Sequence, residues 1–252
     1  MILLTGASGS LGSRLKHDKS LEVRFPTSSK DLQNKLKGSA NHTLIHLAGA
    51  SSRKFVDNNE DYAYKINVES TISLFKALAE NQGKRFIFAS SGHVYGDTRP
   101  DYFSVETDEL KPKSTYAKQK LIAENMLLNE ASNYDTQLII LRIFSIFGNG
   151  MRDHYLSGMI EKSTEKNTMP LIATCDDERD FSSPEVVAGY IEKFQKNSTP
   201  KILIVNICSG IAKTVREKVQ DSYPMIPEEN YLRGNSDVAR LVGDNKLLKQ
   251  YL

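Results

Sequence analysis

A tyrosine and a lysine at helical spacing are the clearest candidates for chemistry in this sequence. The segment STYAKQK, residues 114–120, places Tyr116 and Lys120 four positions apart, so both side chains share one face if the segment is helical. A lysine ammonium beside a phenol favours the phenolate and lowers the tyrosine pKa from ~10 towards neutrality. Tyr116 is therefore a candidate general acid or base, although the same spacing is common on ordinary helix surfaces.

A serine and a histidine form a second candidate group. The segment SSGHVYG, residues 90–96, follows an apolar run that predicts a buried strand ending at Ser91. His93 lies two positions further on, and its ordinary pKa near ~6.5 suits proton transfer. Three roles are open for it: proton transfer, a hydrogen bond to a substrate hydroxyl, or packing in the turn. We expect three other histidines to be ordinary surface residues: His17, His42 and His154.

A glycine-rich turn near the start of the chain predicts a phosphate site. TGASGSLGSRL follows the first apolar run and precedes a predicted helix. Small residues permit a tight turn there and let backbone N–H groups approach a pyrophosphate at a helix N-terminus. A purely structural turn is the alternative. The residues predicted to contact a dinucleotide are Gly6, Ser8, Gly9, Ser10, Leu11 and Gly12.

The residues after the second predicted strand bear on which dinucleotide binds. Asp31 lies near the expected position of an acid that holds the ribose hydroxyls of NAD. Ser28, Ser29 and Lys30 are nearer to the strand, and such residues suit a 2′-phosphate. The cofactor is therefore predicted to be NAD or NADP, with a slight preference for NADP. Asp31 is equally consistent with a cap on the following helix.

Alternating apolar runs and helical segments indicate how these residues are positioned. The runs MILLTG, LEVRF, TLIHLAG, RFIFASS, TQLIILRIF and ILIVNI are continuous, as in strands covered on both faces. Strand–helix alternation of this kind predicts an α/β fold, a Rossmann-type doubly wound parallel sheet. We predict a dinucleotide-binding domain over residues 1–148, to which 171–206 return. Residues 149–170 and 207–252 would form a small C-terminal substrate-binding lobe over the carboxyl ends of the strands.

Composition excludes several classes of partner. The net charge of +2, from 33 basic and 31 acidic residues, gives no reason to expect nucleic acid or an anionic membrane. Cys175 and Cys208 are far apart and have no metal-ligand spacing, which predicts reduced thiols and no metal site. No apolar run approaches the ~20 residues of a membrane span, and the opening residues leave no room for a signal peptide. We expect a cytoplasmic protein.

The ordered motifs TGASGSLG, HLAGA, SSGHVYG and YAKQK resemble the extended short-chain dehydrogenase/reductases, of the NAD-dependent epimerase/dehydratase type that modifies nucleotide sugars. The resemblance continues through INVEST, LRIFSIFG, ERDFSS and NICSG, and so covers essentially the whole chain. It implies a homodimer formed through the helices around Tyr116 and residues 67–82. It also implies a small-molecule nucleotide-sugar substrate.

The same resemblance implies roles for individual residues. Ser91, Tyr116 and Lys120 would be the catalytic trio: Ser91 binds the substrate oxygen, Tyr116 exchanges its proton, and Lys120 binds the nicotinamide ribose and tunes Tyr116. Arg179 would bind a substrate diphosphate, and Ser145 stands where the family often has a substrate-binding asparagine. Four further residues would lie near the cofactor: Leu47, Ala48, Gly49 and Asn67.

The departures from the family pattern narrow the activity. Dehydratases of the family carry Asp-Glu after the catalytic hydroxyl residue, whereas this chain has Gly92 and His93, so a 4,6-dehydratase is not expected. Epimerase-reductases of the family place an acid/base cysteine at the position of His93. We expect an epimerase that acts through a 4-keto intermediate, with an NADPH-dependent 4-keto sugar reductase as the alternative. A non-catalytic dinucleotide-binding protein is less favoured, because the serine, tyrosine and lysine are all present.

Overall fold

The computed structural model describes residues 1–21, 29–38, 40–234 and 236–252. Its strands, in chain order, are β1 (Ile2–Thr5), β2 (Lys19–Ser20), β3 (Thr43–His46), β4 (Arg85–Ser91), β5 (Gln137–Ile143), β6 (Ser145–Ile146), β7 (Glu178–Ser182), β8 (Ile202–Ile207), β9 (Ala212–Thr214) and β10 (Arg240–Leu241). Its α-helices are α1 (Ser29–Leu36), α2 (Arg53–Asn58), α3 (Glu60–Tyr64), α4 (Ser70–Glu80), α5 (Thr115–Ala131), α6 (Leu156–Glu165), α7 (Pro184–Lys196), α8 (Val215–Ser222) and α9 (Lys246–Lys249).

Six parallel strands form the main sheet in the order β2-β1-β3-β4-β5-β8. Successive β4 residues alternate between two apolar layers: Phe86 and Phe88 face one core cluster, and Ile87 faces the other. The first layer includes residues of α1, α4 and α5, and the second includes residues of α7. Because both faces are covered, the continuous apolar strands are explained, and the predicted Rossmann-type fold is confirmed.

The order of the strands fixes where a ligand can bind. The chain moves outward from β1 to β2, then crosses back to β3 on the other side of β1. In open α/β sheets the crevice outside the carboxyl ends at such a reversal is the usual ligand site. The glycine-rich turn follows β1, the HLAGA segment follows β3, and Ser91 ends β4. The three predicted segments therefore meet at one edge.

A smaller sheet carries the rest of the chain. It has the order β10-β7-β6, and β9 pairs antiparallel with β7. Residues 171–206, predicted to return to the main domain, divide between the two sheets: β7 belongs to the smaller sheet, whereas β8 joins the larger one. β6 starts two residues after the end of β5, so the two sheets are joined directly.

The second predicted strand, LEVRF, lies outside the described residues except for Leu21, and β2 precedes it. No helix in the described part of the chain is long and apolar enough to cross a membrane.

Candidate active site

One cavity of about 700 Å³ lies at the carboxyl edge of the main sheet. Its size is in the range of sites that hold a small molecule or cofactor. It extends from the glycine-rich turn to α5 and to the smaller sheet. The predicted site residues that line it are Gly6, Ser8, Gly9, Ser10, Leu11, Gly12, Leu47, Ala48, Gly49, Ser91, His93, Tyr116, Lys120, Ser145 and Arg179.

The glycine-rich turn is shaped by two steric limits. Gly6 has a φ of +74°, a conformation that side chains rarely adopt. At Gly12, an added Cβ would lie 2.1 Å from the carbonyl oxygen of Gly6, so any other residue would break the turn. The helix predicted to follow is only a 3₁₀ turn, Gly12–Arg14. Phosphate binding here would therefore depend on the N–H groups of the turn, with little help from a helix dipole.

A buried asparagine holds the loop after β3. The side chain of Asn67 accepts a hydrogen bond from the backbone N of Ala50 (2.8 Å) and donates to its carbonyl oxygen (3.1 Å). It also donates to Gln119 of α5 (2.9 Å). Asn67 is 1% exposed and does not line the cavity. Its contacts position the Leu47–Gly49 segment, which does line the cavity.

His46 links the same loop to β1. The backbone N–H of Ala48 donates to Thr5 Oγ1 (3.3 Å), which in turn bonds His46 Nδ1 (2.7 Å). On its other side, His46 Nε2 bonds Thr71 Oγ1 (3.0 Å), whose proton goes to the carbonyl oxygen of Asn67 (2.8 Å). This order of donors assigns the imidazole proton to Nε2. Burial, with a smaller effect of Lys120, lowers the pKa of His46 to about 3, so the ring is neutral.

Tyr116 and Lys120 lie on one face of α5, as predicted. Ser114 caps the helix by accepting from the backbone N of Ala117 (3.2 Å). The Lys120 Nζ donates to the carbonyl oxygen of Ala89 (2.8 Å) and lies 5.9 Å from the centre of the Tyr116 ring. Burial lowers the pKa of Lys120 to about 8, and Glu124 opposes this effect.

The prediction that Lys120 lowers the pKa of Tyr116 is wrong, because the phenol is buried. Burial raises the pKa of Tyr116 above its ordinary value, and Tyr155 raises it further. The hydrogen bond with Ser91 only partly offsets this rise. The phenol therefore remains protonated at neutral pH, and the Lys120 ammonium is directed at the Ala89 carbonyl.

His93 faces the cavity beside two guanidinium groups. Burial, together with the charges of Arg179 and Arg53, lowers the pKa of His93 to about 4. The imidazole is therefore neutral at pH 7. Among the described residues no side chain bonds its ring, whereas its backbone N donates to Ser91 Oγ (3.2 Å).

Arg179 lines the cavity but is largely committed to the protein. Its Nη1 donates to the carbonyl oxygens of Glu178 (2.9 Å) and Ala239 (3.1 Å). Its Nη2 donates to Asp177 (2.8 Å) and to the carbonyl oxygen of Val238 (2.6 Å). The predicted two-pronged contact with a diphosphate would have to displace some of these bonds. In the present arrangement Arg179 offers its charge and Nε–H.

Of the two predicted ribose residues, only Asp31 lies in the described part of the chain. Ser28 lies outside the described residues. Asp31 is exposed in the first turn of α1 and does not line the cavity.

Sequence reasoning missed several cavity residues between β6 and α6 and after β3. His154, expected on the ordinary surface, lines the cavity and bonds Ser51 Oγ through Nε2 (3.1 Å). The hydroxyl of Tyr155 also donates to Ser51 (3.1 Å). Arg53 pairs with Asp237 of the C-terminal segment. No motif marks these residues, because tertiary folding alone brings them together.

Comparison with known proteins identifies the family. The model of the NAD-dependent epimerase/dehydratase family matches residues 2–208. The chain belongs to this family.

The described residues contain no group of three or more His, Cys, Asp or Glu side chains that could hold a metal ion.

Relatives of this family member differ in activity. A dTDP-4-dehydro-6-deoxyglucose reductase of Escherichia coli is 33% identical over 184 residues, covering 71% of this chain and 57% of the reductase. A putative UDP-arabinose 4-epimerase of Arabidopsis thaliana is 23% identical, covering 87% of this chain and 63% of the relative. The chain thus spans less than two thirds of both. A putative UDP-glucose 4-epimerase of Methanocaldococcus jannaschii is 27% identical, covering 86% of this chain and 79% of the relative.

Solved structures show the same fold. UDP-glucose 4-epimerase of Thermus thermophilus in complex with NAD has a TM-score of 0.85 at 19% identity, covering 99% of this chain and 92% of that one. RMD from Pseudomonas aeruginosa complexed with NADPH has a TM-score of 0.81 at 20% identity, covering 100% of this chain and 92% of that one.

The neutral, buried His46 predicts a pH-dependent stability. The unfolded chain protonates this histidine near pH 6.5, whereas the folded chain does so only near pH 3. The stabilisation is therefore present above pH 6.5 and is lost as the pH falls towards 3. Between pH 6 and 5 the free energy of unfolding, measured with urea, should fall by about 1.2 kcal/mol more in the wild type than in His46→Gln. Equal falls in the two proteins would contradict the assignment.

Proposed function

We propose that this protein is an NAD(P)-dependent nucleotide-sugar epimerase that acts through a 4-keto intermediate. One observation carries the proposal: a single cavity joins the glycine-rich turn to Ser91, Tyr116 and Lys120. A dinucleotide with its pyrophosphate at the turn would then have its nicotinamide end near the reactive side chains. The sugar would enter from the side of the smaller sheet.

The cavity fits such a cofactor. Backbone N–H groups of the turn would hold the pyrophosphate, the Leu47–Gly49 segment would line one side, and Lys120 would bind the nicotinamide ribose. A bound nicotinamide would supply reversible hydride transfer with the sugar. The choice between NAD and NADP stays a prediction, because Ser28 lies outside the described residues and Asp31 is not at the cavity.

The three reactive side chains have separate tasks in this proposal. Ser91 binds the oxygen at the reacting carbon and orients it. Tyr116 exchanges a proton with that oxygen: it takes the proton when the alcohol becomes a ketone and returns it when the ketone is reduced. Tyr116 must be a phenolate to take the proton in the first step, and the buried Lys120 ammonium favours that phenolate. If the 4-keto intermediate rotates in the site between the two steps, reduction on its other face gives the epimer.

The neutral state of the His93 ring supports a reaction in which Tyr116 is the single acid/base group. A ring with a pKa of about 4 is not protonated at neutral pH and cannot donate as an imidazolium. We therefore assign His93 a hydrogen bond to a substrate hydroxyl and leave proton transfer to Tyr116. A 4-epimerase and a 4-keto reductase each need only one such group at the reacting carbon.

Two observations favour the alternative, a reductase of 4-keto nucleotide sugars. One relative bears that activity in its name. In addition, the protonated Tyr116 can donate directly to a ketone oxygen. To act as the base in the oxidation of an alcohol, Tyr116 must first lose its own proton. The alternative predicts net consumption of NADPH with a dTDP-4-keto sugar. The epimerase predicts interconversion of UDP-sugars without net consumption. A purely dinucleotide-sensing role is disfavoured by the intact trio.

The state of assembly is also part of the proposal. Ile122 and Met126 on α5 are each 38% exposed and would lie in a homodimer interface formed by the helices. Light scattering would measure the mass, and a strictly monomeric protein would exclude this interface. A cytoplasmic location is proposed with it, and fractionation of cells would test it.

Removing the Tyr116 hydroxyl should abolish turnover without removing the cofactor. We expect Tyr116→Phe to lower kcat by about a hundred- to ten-thousandfold, since it deletes the acid/base group. The dinucleotide Kd should stay within about twofold, because that hydroxyl adds at most a small share of binding. Turnover is assayed with UDP-glucose for epimerisation and with dTDP-4-dehydro-6-deoxyglucose plus NADPH for reduction.

Tyr190→Phe is the matched control, because Tyr190 lies on α7, packs against the second core layer and does not line the cavity. It should keep wild-type turnover. Undiminished turnover in Tyr116→Phe would exclude the proposed chemistry.

His93→Ala separates substrate contact from proton transfer. If His93 only bonds a hydroxyl, its loss should raise KM by up to about tenfold and leave the pH profile of kcat unchanged. A fall of kcat by about a hundredfold or more with an altered pH profile would instead assign proton transfer to His93.

A further inference from the structure

A buried ion pair lies directly behind the reactive end of the cavity. Glu124 of α5 is 1% exposed and Arg142 of β5 is 3% exposed. Arg142 donates to the Glu124 carboxylate from Nη2 (2.8 Å) and from Nε (3.2 Å). Neither residue lines the cavity, and the proposed reaction does not use them.

The carboxylate also holds the end of β4. Ser90 donates its hydroxyl proton to Glu124 Oε1, and Ser90 is the neighbour of Ser91. Lys120, one helical turn before Glu124, donates to the carbonyl oxygen of Ala89. Two successive turns of α5 are thus bonded to two successive residues of β4. These bonds fix the position of Tyr116 relative to Ser91.

The arginine extends this support to the opposite side. Its Nη1 donates to the hydroxyl of Tyr95 (2.9 Å) and to the carbonyl oxygen of Glu106 (3.0 Å). Tyr95 in turn donates to Asn206 of β8 (2.7 Å). The guanidinium of Arg142 on β5 is therefore linked to β4 through Glu124 and to β8 through Tyr95. The Glu124 carboxylate cannot move towards Lys120 or away from Ser90 without breaking these bonds.

We propose that Glu124 is a positioning residue for the Ser91–Tyr116–Lys120 site: it binds Ser90 and Arg142 to hold α5 against β4, and its charge keeps Lys120 in the ammonium form. This inference rests on the proposed function, because it assigns Glu124 a role through Lys120 and Tyr116. It goes beyond a stabilising role, since a buried ion pair is by itself weak evidence for stability.

The charges around Lys120 support this reading. Glu124 supplies the negative charge, His46 is neutral, Tyr116 is protonated, and Arg142 is a cation. Burial lowers the pKa of Lys120 to about 8, and Glu124 is the group that opposes it. Removing the Glu124 charge would lower that pKa further. Lys120 would then lose its ammonium proton at a lower pH than in the wild type.

The test compares pH profiles of five proteins: wild type, Glu124→Gln, Glu124→Asp, Ser90→Ala and Glu130→Gln. Glu130 is the matched control, because it lies on the same helix in a partly exposed pair with Lys76. Turnover assays from pH 6 to 9.5 give kcat and kcat/KM, and fluorescence gives the Kd of NADH over the same range. The two pH profiles compared are those of kcat/KM and of the Kd. The Kd needs no sugar substrate, so it reports on Lys120 even if the proposed reaction is not found.

We expect the high-pH limb of both profiles to move to lower pH by about one unit in Glu124→Gln. Glu130→Gln should match the wild type. Ser90→Ala keeps the charge, so its high-pH limb should stay in place while kcat falls by about tenfold, since α5 loses a bond to β4. A folded Glu124→Gln with wild-type profiles would overturn the role of the charge.

Ser90→Ala keeps the Glu124–Arg142 ion pair, so this variant tests the positioning role even if Glu124→Gln does not fold. Wild-type kcat in Ser90→Ala would overturn the positioning role. If no sugar is turned over by the wild type, an unshifted Kd profile in Glu124→Asp and a shifted one in Glu124→Gln would still support the charge effect. An identical shift in both would overturn it.

Discussion

The carboxyl ends of the parallel strands are buried, and the polar groups there must find partners inside the protein. This constraint explains most of the site. Thr5, His46 and Thr71 form one chain of hydrogen bonds, and Asn67 saturates the backbone of Ala50. An unpaired buried polar group destabilises the fold by several kcal/mol, so each of these hydrogen bonds constrains the loops that line the cavity.

The same burial sets the electrostatics of the site. It holds Tyr116 protonated, lowers the pKa of Lys120 to about 8, and keeps His46 and His93 neutral. The cations lining this end of the cavity therefore include Lys120, Arg53 and Arg179, whereas both histidines are neutral. In the proposed reaction the protonated Tyr116 can donate to a ketone oxygen, and it must lose its proton before it can accept one from an alcohol. A protein with charged histidines here would have additional acids competing with Tyr116.

Much of the fold could be predicted from the sequence, because continuous apolar strands and glycine punctuation are local signals. The positions of Ser91, Tyr116 and Lys120 at one edge follow from the ends of their elements. The prediction of a lowered pKa for Tyr116 was wrong, since helical spacing does not report that Lys120 is directed at the Ala89 carbonyl. His154 and Tyr155 were missed because only tertiary contacts with Ser51 bring them to the cavity. Glu124 carries no motif of its own, and its role is visible only when Arg142 and Ser90 are seen around it.

The central claim is that the cavity holds a nicotinamide dinucleotide that the reaction regenerates. The most direct measurement is to denature the purified protein and to identify and quantify the nicotinamide that is released. The account predicts near-stoichiometric NAD, because an epimerase returns the hydride in every cycle and has no need to exchange its cofactor. An empty protein that binds NADPH more tightly than NADH would assign the reductase instead. A protein that releases no nicotinamide and binds neither NAD nor NADPH would contradict the account.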